Sequence, residues 1–337
     1  VPVVAAANNY LLGLAKQTNE ATAATNATYS VPVYSADIGP RYDLNRVEVT
    51  DASSLQGDPY KGPTYWQGTV EFPAFAAQMG APLQSMWPTD TITGAGPYTH
   101  TYSGLGSTQS WYSLFSEWPG AGAFEQRFSK GLASSIGFTG DGSGGPLRLS
   151  WGLFGQTPEV LSYTPGTTAA LSDGWFALQL ASANIEADFD TPDVNPTSAI
   201  TNVRSYSISV ERGVTPEPTA DGIAISNLSQ GKVACSGSLE MLYSSWDAYR
   251  ASYFGSVGGS AVSATIVYGA LDLNFKHTVQ AGWTFELYVP KVQFMVPPPV
   301  PNPDGSALVH SVTLNIATPA SGSQVQPILV NGVTPSY

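Results

Sequence analysis

The five residues Gly68-Thr-Val-Glu-Phe72 have a counterpart 169 positions further on, in Gly237-Ser-Leu-Glu-Met241. Each closes a run of alternating apolar and polar residues, YWQGTVEFPA at 65–74 and KVACSGSLEMLY at 232–243. Each run leads into a stretch with apolar residues at helical spacing. A second pair of turn motifs, Asp141-Gly-Ser and Asp304-Gly-Ser, stands 163 positions apart, each ahead of a further alternating run, LRLSWGL and ALVHSVTLNI. Alternation places successive side chains on opposite faces of a strand. Two anchors at nearly equal offsets therefore read as two copies of one unit. The expected fold class is mainly β: two tandem β-sandwich or barrel units, each with a short flanking α-helix.

Other strand signals fill in both copies. The first holds DLNRVEVTD (43–51), PYTHTYS (97–103), SWYSLFSEW (110–118) and GAFEQRFSKGLASSIGFTG (122–140); the second holds VRSYSISVERG (203–213), ATIVYGALDLNFKH (264–277) and WTFELYVPKVQFMV (283–296). Enrichment in β-branched and aromatic residues supports each. AFAAQMGAPLQSMW carries a Gly and a Pro, so its helix should be short. SSWDAYRASYFG should form the second helix, with Ser244 or Ser245 as N-cap and Asp247 in the first turn. The organisation expected is an N-terminal arm (1–33), a first unit (34–160), a linker (161–199), a second unit (200–320) and a C-terminal arm (321–337).

Composition narrows the surface chemistry. Apolar residues make up 42% of the 337 and aromatics 11%, enough for a substantial core. Only 11% are charged, against about 25% in average globular proteins. Such a surface suits a subunit largely covered by neighbours. The net charge is −12, and no basic stretch could neutralise phosphates, so gripping of nucleic acid is not expected. Cys235 is the only cysteine; it cannot form an internal disulfide and reads as a buried, inert thiol. The N-terminus VPVVAAANNYLLGLAKQT lacks a basic start and does not read as a signal peptide. No stretch approaches the roughly 20 apolar residues of a membrane-spanning helix, so no membrane insertion is expected.

The glycine-rich GDGSGG at 140–145 raises the question of catalysis. Gly142 separates Asp141 from Ser143, which breaks the GDSGG spacing of a trypsin-like nucleophile, and a phosphate loop would need a following Lys and a helix. Here Pro146 and a strand-like run follow instead. His100, His277 and His310 all lie in alternating runs and are expected to point out from strand faces. Glu186, Asp188, Asp190 and Asp193 lack the glycine turn and closing glutamate of a calcium loop, and read as a solvated linker. The chain is expected to be no enzyme, with no catalytic, cofactor-binding or metal-binding residue and no cofactor. GDGSGG reads as a hairpin turn.

Four motifs in order carry a resemblance: LLGLAKQTNEATAATNATYSVPVYSADIGP, then GTVEFPAFAAQM, then YTHTYS, then FSKGLASSIGFTGDGSGGPLRLSWGLFG. In this order the chain resembles the tail tube (major tail) proteins of long-tailed, siphovirus-like bacteriophages. The match is best over residues 11–155 and looser over 200–318, where YTHTY has no clear counterpart. The resemblance implies tail-tube-like units whose sheets join into a ring around a lumen, with rings stacking into a tube that conducts DNA into the host. It implies a virion protein made in the host cytoplasm, with itself, tape-measure and tail-tip or terminator proteins as partners. DNA would transit without specific binding. Six units surround the lumen in such rings, so two per chain imply homotrimeric, pseudo-hexameric rings.

Assembly surfaces are then the expected functional sites. The long connections 52–65 and 214–230 are expected to make ring-to-ring contacts through Leu55, Tyr60, Tyr65, Ile223, Ile225 and Leu228. The two arms are expected to be ordered only by neighbours, through Tyr10, Leu11, Leu12, Ile328, Leu329 and Val330. The alternative reading is a secreted or surface carbohydrate-binding β-protein that uses Trp111, Tyr112 and Trp118 as exposed platforms. A capsid or baseplate protein is a close relative of the tube reading.

Overall fold

The computed structural model describes residues 10–46, 59–118, 124–142, 144–160, 178–200, 202–217, 225, 227–242, 245–299 and 308–333. Up to residue 160 the elements are β1 (Leu11–Lys16), β2 (Tyr29–Val31), β3 (Ser35–Arg46), β4 (Pro59–Pro73), α1 (Gly80–Met86), β5 (Thr89–Thr93), β6 (Tyr98–Ser103), β7 (Tyr112–Trp118), β8 (Phe124–Asp141) and β9 (Arg148–Val160). Beyond it come β10 (Leu178–Asp188), β11 (Val203–Glu217), β12 (Asn227–Leu242), α2 (Asp247–Phe254), β13 (Gly269–His277), β14 (Thr284–Met295), β15 (Val309–Ile316) and β16 (Gln326–Asn331). The fold is mainly β, with the sixteen strands joined through antiparallel pairings.

Two sets of strands follow the same order. The first runs β3-β4-β9-β8-β7-β1, with β2 added at the end. The second runs β11-β12-β15-β14-β13-β10. Register repeats as well as order. Gly68 stands opposite Ile38 on β3 and Leu153 on β9; Gly237 stands opposite Ile208 on β11 and Leu314 on β15. The β7–β8 ladder ends at Tyr112 opposite Gly131, next to a bulge before Leu114 opposite Phe128. The β13–β14 ladder ends at Gly269 opposite Val292, next to a bulge before Leu271 opposite Val289.

The repeated glycine has a steric cause. A Cβ at Gly68 would lie 2.2 Å from the carbonyl oxygen of Asp37, and one at Gly237 would lie 2.7 Å from that of Ser207, the residue in the corresponding place. Backbone approaches that close leave no room for any side chain.

The two sets share a core. Trp66, Trp87, Trp151, Phe128 and Phe138 from the first half and Phe275, Phe285, Leu287 and Leu314 from the second are all buried in one cluster. Across the two sets, Phe138 on β8 stacks on Phe285 on β14 at 5.7 Å. The sheets join directly where β8 pairs with β11, from Asp141 opposite Ser205 to Ser135 opposite Glu211. A second tie is β16, paired with β14 on one edge and with β6 on the other. Near β16, the Trp87 Nε1–H donates to the Val325 carbonyl at 2.8 Å, and Asn331 Nδ2 to the Ala76 carbonyl at 2.7 Å.

Several sequence expectations are corrected by this architecture. The stretch expected as a linker contains β10, which pairs with β13. The expected arms contain β1, β2 and β16, each paired within the chain. The N-cap of α2 is Trp246 and makes no side-chain cap, although Asp247 does occupy the first turn. All three histidines point inward: His100 is buried completely, His277 and His310 almost so. Alternation fixes the period of a strand but not which phase faces the core. Asp304 and its turn lie outside the described residues.

Candidate functional site

The edges and hairpin tips of the sheet carry the features an assembling subunit needs. β3 and β4 form a long hairpin in which Arg46 faces Pro59. Near its tip Tyr42, Leu44 and Tyr60 are 46%, 63% and 52% exposed. The Lys61 ammonium sits over the Tyr42 ring at 4.8 Å, and Tyr65 stacks on Phe154 at 4.8 Å. Large apolar groups left wet in one place mark a surface that another molecule covers. Tyr60 and Tyr65 therefore stand on a strand, not in the loop expected from the sequence, because β-pairing runs further out than the turn signals suggested. Leu55 lies outside the described residues. Tyr42 and Leu44, which sequence reasoning missed, were legible as two large apolar residues one strand period apart.

The β11–β12 hairpin behaves differently. Its strands pair out to Glu217 opposite Asn227. Ile225, between them, is 2% exposed, and its N–H donates to the Thr64 carbonyl of β4 at 3.2 Å. Ile225 is thus buried against its own chain. Leu228 is half-buried, and Ile223 lies outside the described residues.

The terminal strands split by face. Leu12 and Leu329 are buried in the chain's own core, at 1% and 0% exposure. Within the chain β1 is clamped between β2 and β7, and β16 between β14 and β6. Leu11 is exposed, and Ile328 and Val330 are half-buried. Tyr10 is half-buried against Trp118, with ring centroids 4.8 Å apart.

The groups with chemical potential are engaged in structure. His100 Nδ1 lies 2.9 Å from Asp90 Oδ2 in a buried pair. His277 Nδ1 accepts the N–H groups of Val279 and Gln280 at 3.1 and 2.8 Å. Asp188 Oδ1 accepts the N–H groups of Asp190 and Thr191, and Asp190 Oδ2 accepts that of Val257. Among the described residues no group of three or more His, Cys, Asp or Glu is placed to hold a metal ion. Burial pushes the Cys235 thiol up to about 12, which suppresses the reactive thiolate. GDGSGG is the hairpin connection between β8 and β9, with Gly144 at φ 81°; Ser143 lies outside the described residues. Of the aromatics that the carbohydrate reading needed, Tyr112 is fully buried.

One electrostatic feature went unseen in the sequence. Glu186 on β10 stands directly opposite Asp272 on β13, and Glu286 on β14 lies alongside. Burial, then the neighbouring carboxylate of Glu286, push Asp272 up to about 7, while Asn274 Nδ2 donates to its Oδ2 at 2.6 Å. Burial and Glu186 raise Glu286 as well. Three residues so far apart in the chain come together only through strand pairing.

A sequence family described as phage tail tube protein matches residues 7–320. The chain belongs to the phage tail tube protein family. No curated protein matches it significantly. As a tail tube protein it is a structural component of the virion and assembles with itself into a tube. Tyr42, Leu44 and Tyr60 are the exposed large apolar groups of the β3–β4 hairpin among the described residues. Among the described residues no helix is long and apolar enough to cross a membrane.

Proposed function

We propose that this chain builds the tail tube as stacked rings of three copies, each copy supplying two tube units, residues 34–160 and 200–320. The observation that carries the reading is the repeat of strand order and register, down to the glycine at 68 and 237 that each copy needs for the same steric reason. A closed ring must pair its strand edges, and twist per unit sets the number of units and not the number of chains. With two units per chain, three chains close a six-unit ring. DNA passes down the lumen to the host. A net charge of −12 suits a wall along which a polyanion slides without sticking.

Ring-to-ring contacts fall to the hairpin tips, with Tyr60, Tyr65 and the 47–58 connection that includes Leu55 on one, and Ile223 and Leu228 on the other. Leu11, Ile328 and Val330 supply further contact area at the terminal strands. Tape-measure protein inside the tube and terminator or tail-tip proteins at its ends are the partners this role requires. Native mass spectrometry of assembled rings tests the stoichiometry. The expected mass is about 106 kDa, three times the 35.4 kDa chain. A ring of twice that mass, or a tube reconstruction with true sixfold symmetry and residues 200–320 outside the wall, would refute it.

A further inference from the structure

The joint between the two strand sets inside one chain is a template for the joint between chains. Within the chain, β11 lies along the last part of β8, beyond the point where the β7–β8 ladder stops at Gly131. The corresponding stretch of the second set begins beyond Val292, where the β13–β14 ladder stops. Among the described residues nothing pairs with that edge of Met295–Pro299. The strand corresponding to β11 is β3, which among the described residues pairs with β4 alone. Each chain therefore presents one open edge of each kind, and each has a known mate in the other half.

The register carries over. Trp151 on β9 and Val312 on β15 occupy matching places, opposite Val70 and Leu239. Following their partners on β8 and β14 makes Met295 the counterpart of Ser135, and Pro298 that of Phe138. Since Glu211 faces Ser135 and Ile208 faces Phe138 within the chain, Arg41 would face Met295, and Ile38 would face Pro298. The surfaces are available: Asp37, Pro40, Met295, Pro297 and Pro298 are exposed.

The two joints differ in chemistry. Where β11 has Val210, β3 has Pro40; where β8 has Gly137, Phe138 and Thr139, the second strip has Pro297, Pro298 and Pro299. A proline has no N–H to give a ladder and is accommodated in a strand at an edge. Asp37 and Arg41 add an ion pair of 3.5 Å along the same edge, a further device that blunts pairing.

We propose that β3 of one copy seats on residues 295–299 of the next in the register that β11 holds on β8, and that the prolines on both strips make this joint a partial ladder, weaker than the one inside the chain. Resting on the ring reading above, this gives six joints of two alternating kinds. Premature sheet growth between free subunits is held back at the three weaker ones.

Cysteine pairing tests the register, because directly opposed residues fall within the Cα separation a disulfide accepts. In a Cys235→Ser background, Arg41→Cys with Met295→Cys should yield covalent dimers and trimers from assembled material after oxidation, reversed by reductant. Ser35→Cys with Met295→Cys, displaced by about 20 Å along the strand, should yield none. Rings that form without the first cross-link, a bond formed within one chain, or efficient cross-linking of the displaced pair would overturn the joint and leave the ring reading standing. Failure of the unmodified protein to form any ring would overturn both. Pro40→Val with Pro298→Thr, the two positions whose N–H would face the joint, should lower the protein concentration needed for assembly several-fold; an unchanged or raised threshold would overturn the role given to the prolines.

Discussion

Gly68 and Gly237 do the same work in the two halves, letting a strand approach its neighbour's carbonyl more closely than any Cβ permits. Gly68→Ala and Gly237→Ala should each destabilise the chain toward the upper end of the roughly 1–3 kcal/mol typical of overpacking, since the obstacle is backbone and not a movable side chain. Chemical denaturation checks this, and a neutral effect at either site would deny the shared cause. Asp272 makes a prediction of opposite character. Its carboxyl is raised from 3.8 to about 7, so the fold favours the neutral form. Stability from this group is full below about pH 4, falls as the pH rises toward 7, and is flat above. Asp272→Asn should therefore raise the melting temperature at pH 8 by about 2 °C, the low end of what roughly 1 kcal/mol gives in a domain of 150–250 residues because the cooperative unit here is larger, and leave it unchanged at pH 4. Melting curves at the two pH values decide it.

At the level of elements, the long hairpins and the terminal strands are the parts whose roles differ most from a first reading. Because β1 and β16 are interior strands of the sheet, limited proteolysis of the free subunit should leave Leu11–Lys16 and Gln326–Asn331 uncut. Cleavage within either would mean that they order only on assembly. The β3–β4 tip, with its wet Tyr42, Leu44 and Tyr60, should behave as a contact and not as a support of the fold. Replacing 47–58 by a short Gly-Ser turn together with Tyr60→Ser should leave rings intact and abolish long tubes in electron micrographs.

Across the whole molecule, the two strand sets are alike in plan yet inseparable in packing. Phe138 against Phe285 joins their cores, and β16 reaches from the second set to the β5–β6 hairpin of the first. Residues 1–160 expressed alone should accordingly fail to reach a cooperatively folded state. Co-expression with 161–337 should restore one, as read by near-UV circular dichroism and a sharp thermal transition. A stable, cooperative 1–160 would mean that the shared core contributes little.

The sequence by itself determined the period of the strands, the two short helices, the turn nature of GDGSGG and the repeat that Gly68 and Gly237 announce. Each of these is a local property: alternation, turn chemistry and the need for a missing side chain are written within a few residues. Family membership was legible in the same way, through motifs read in order. Tertiary structure decided which phase of each strand faces inward, and so buried His100, His277 and His310 where outward-pointing rings were expected. It decided that β10 and β16 are strands of the body, because their burial depends on partners about 90 to 230 residues distant in the chain. It also brought Glu186, Asp272 and Glu286 together and, among the described residues, left one edge of β3 and of the proline strip unpaired. Pairing between distant strands is a property of the closed sheet, and no local pattern encodes which edge is left without a mate.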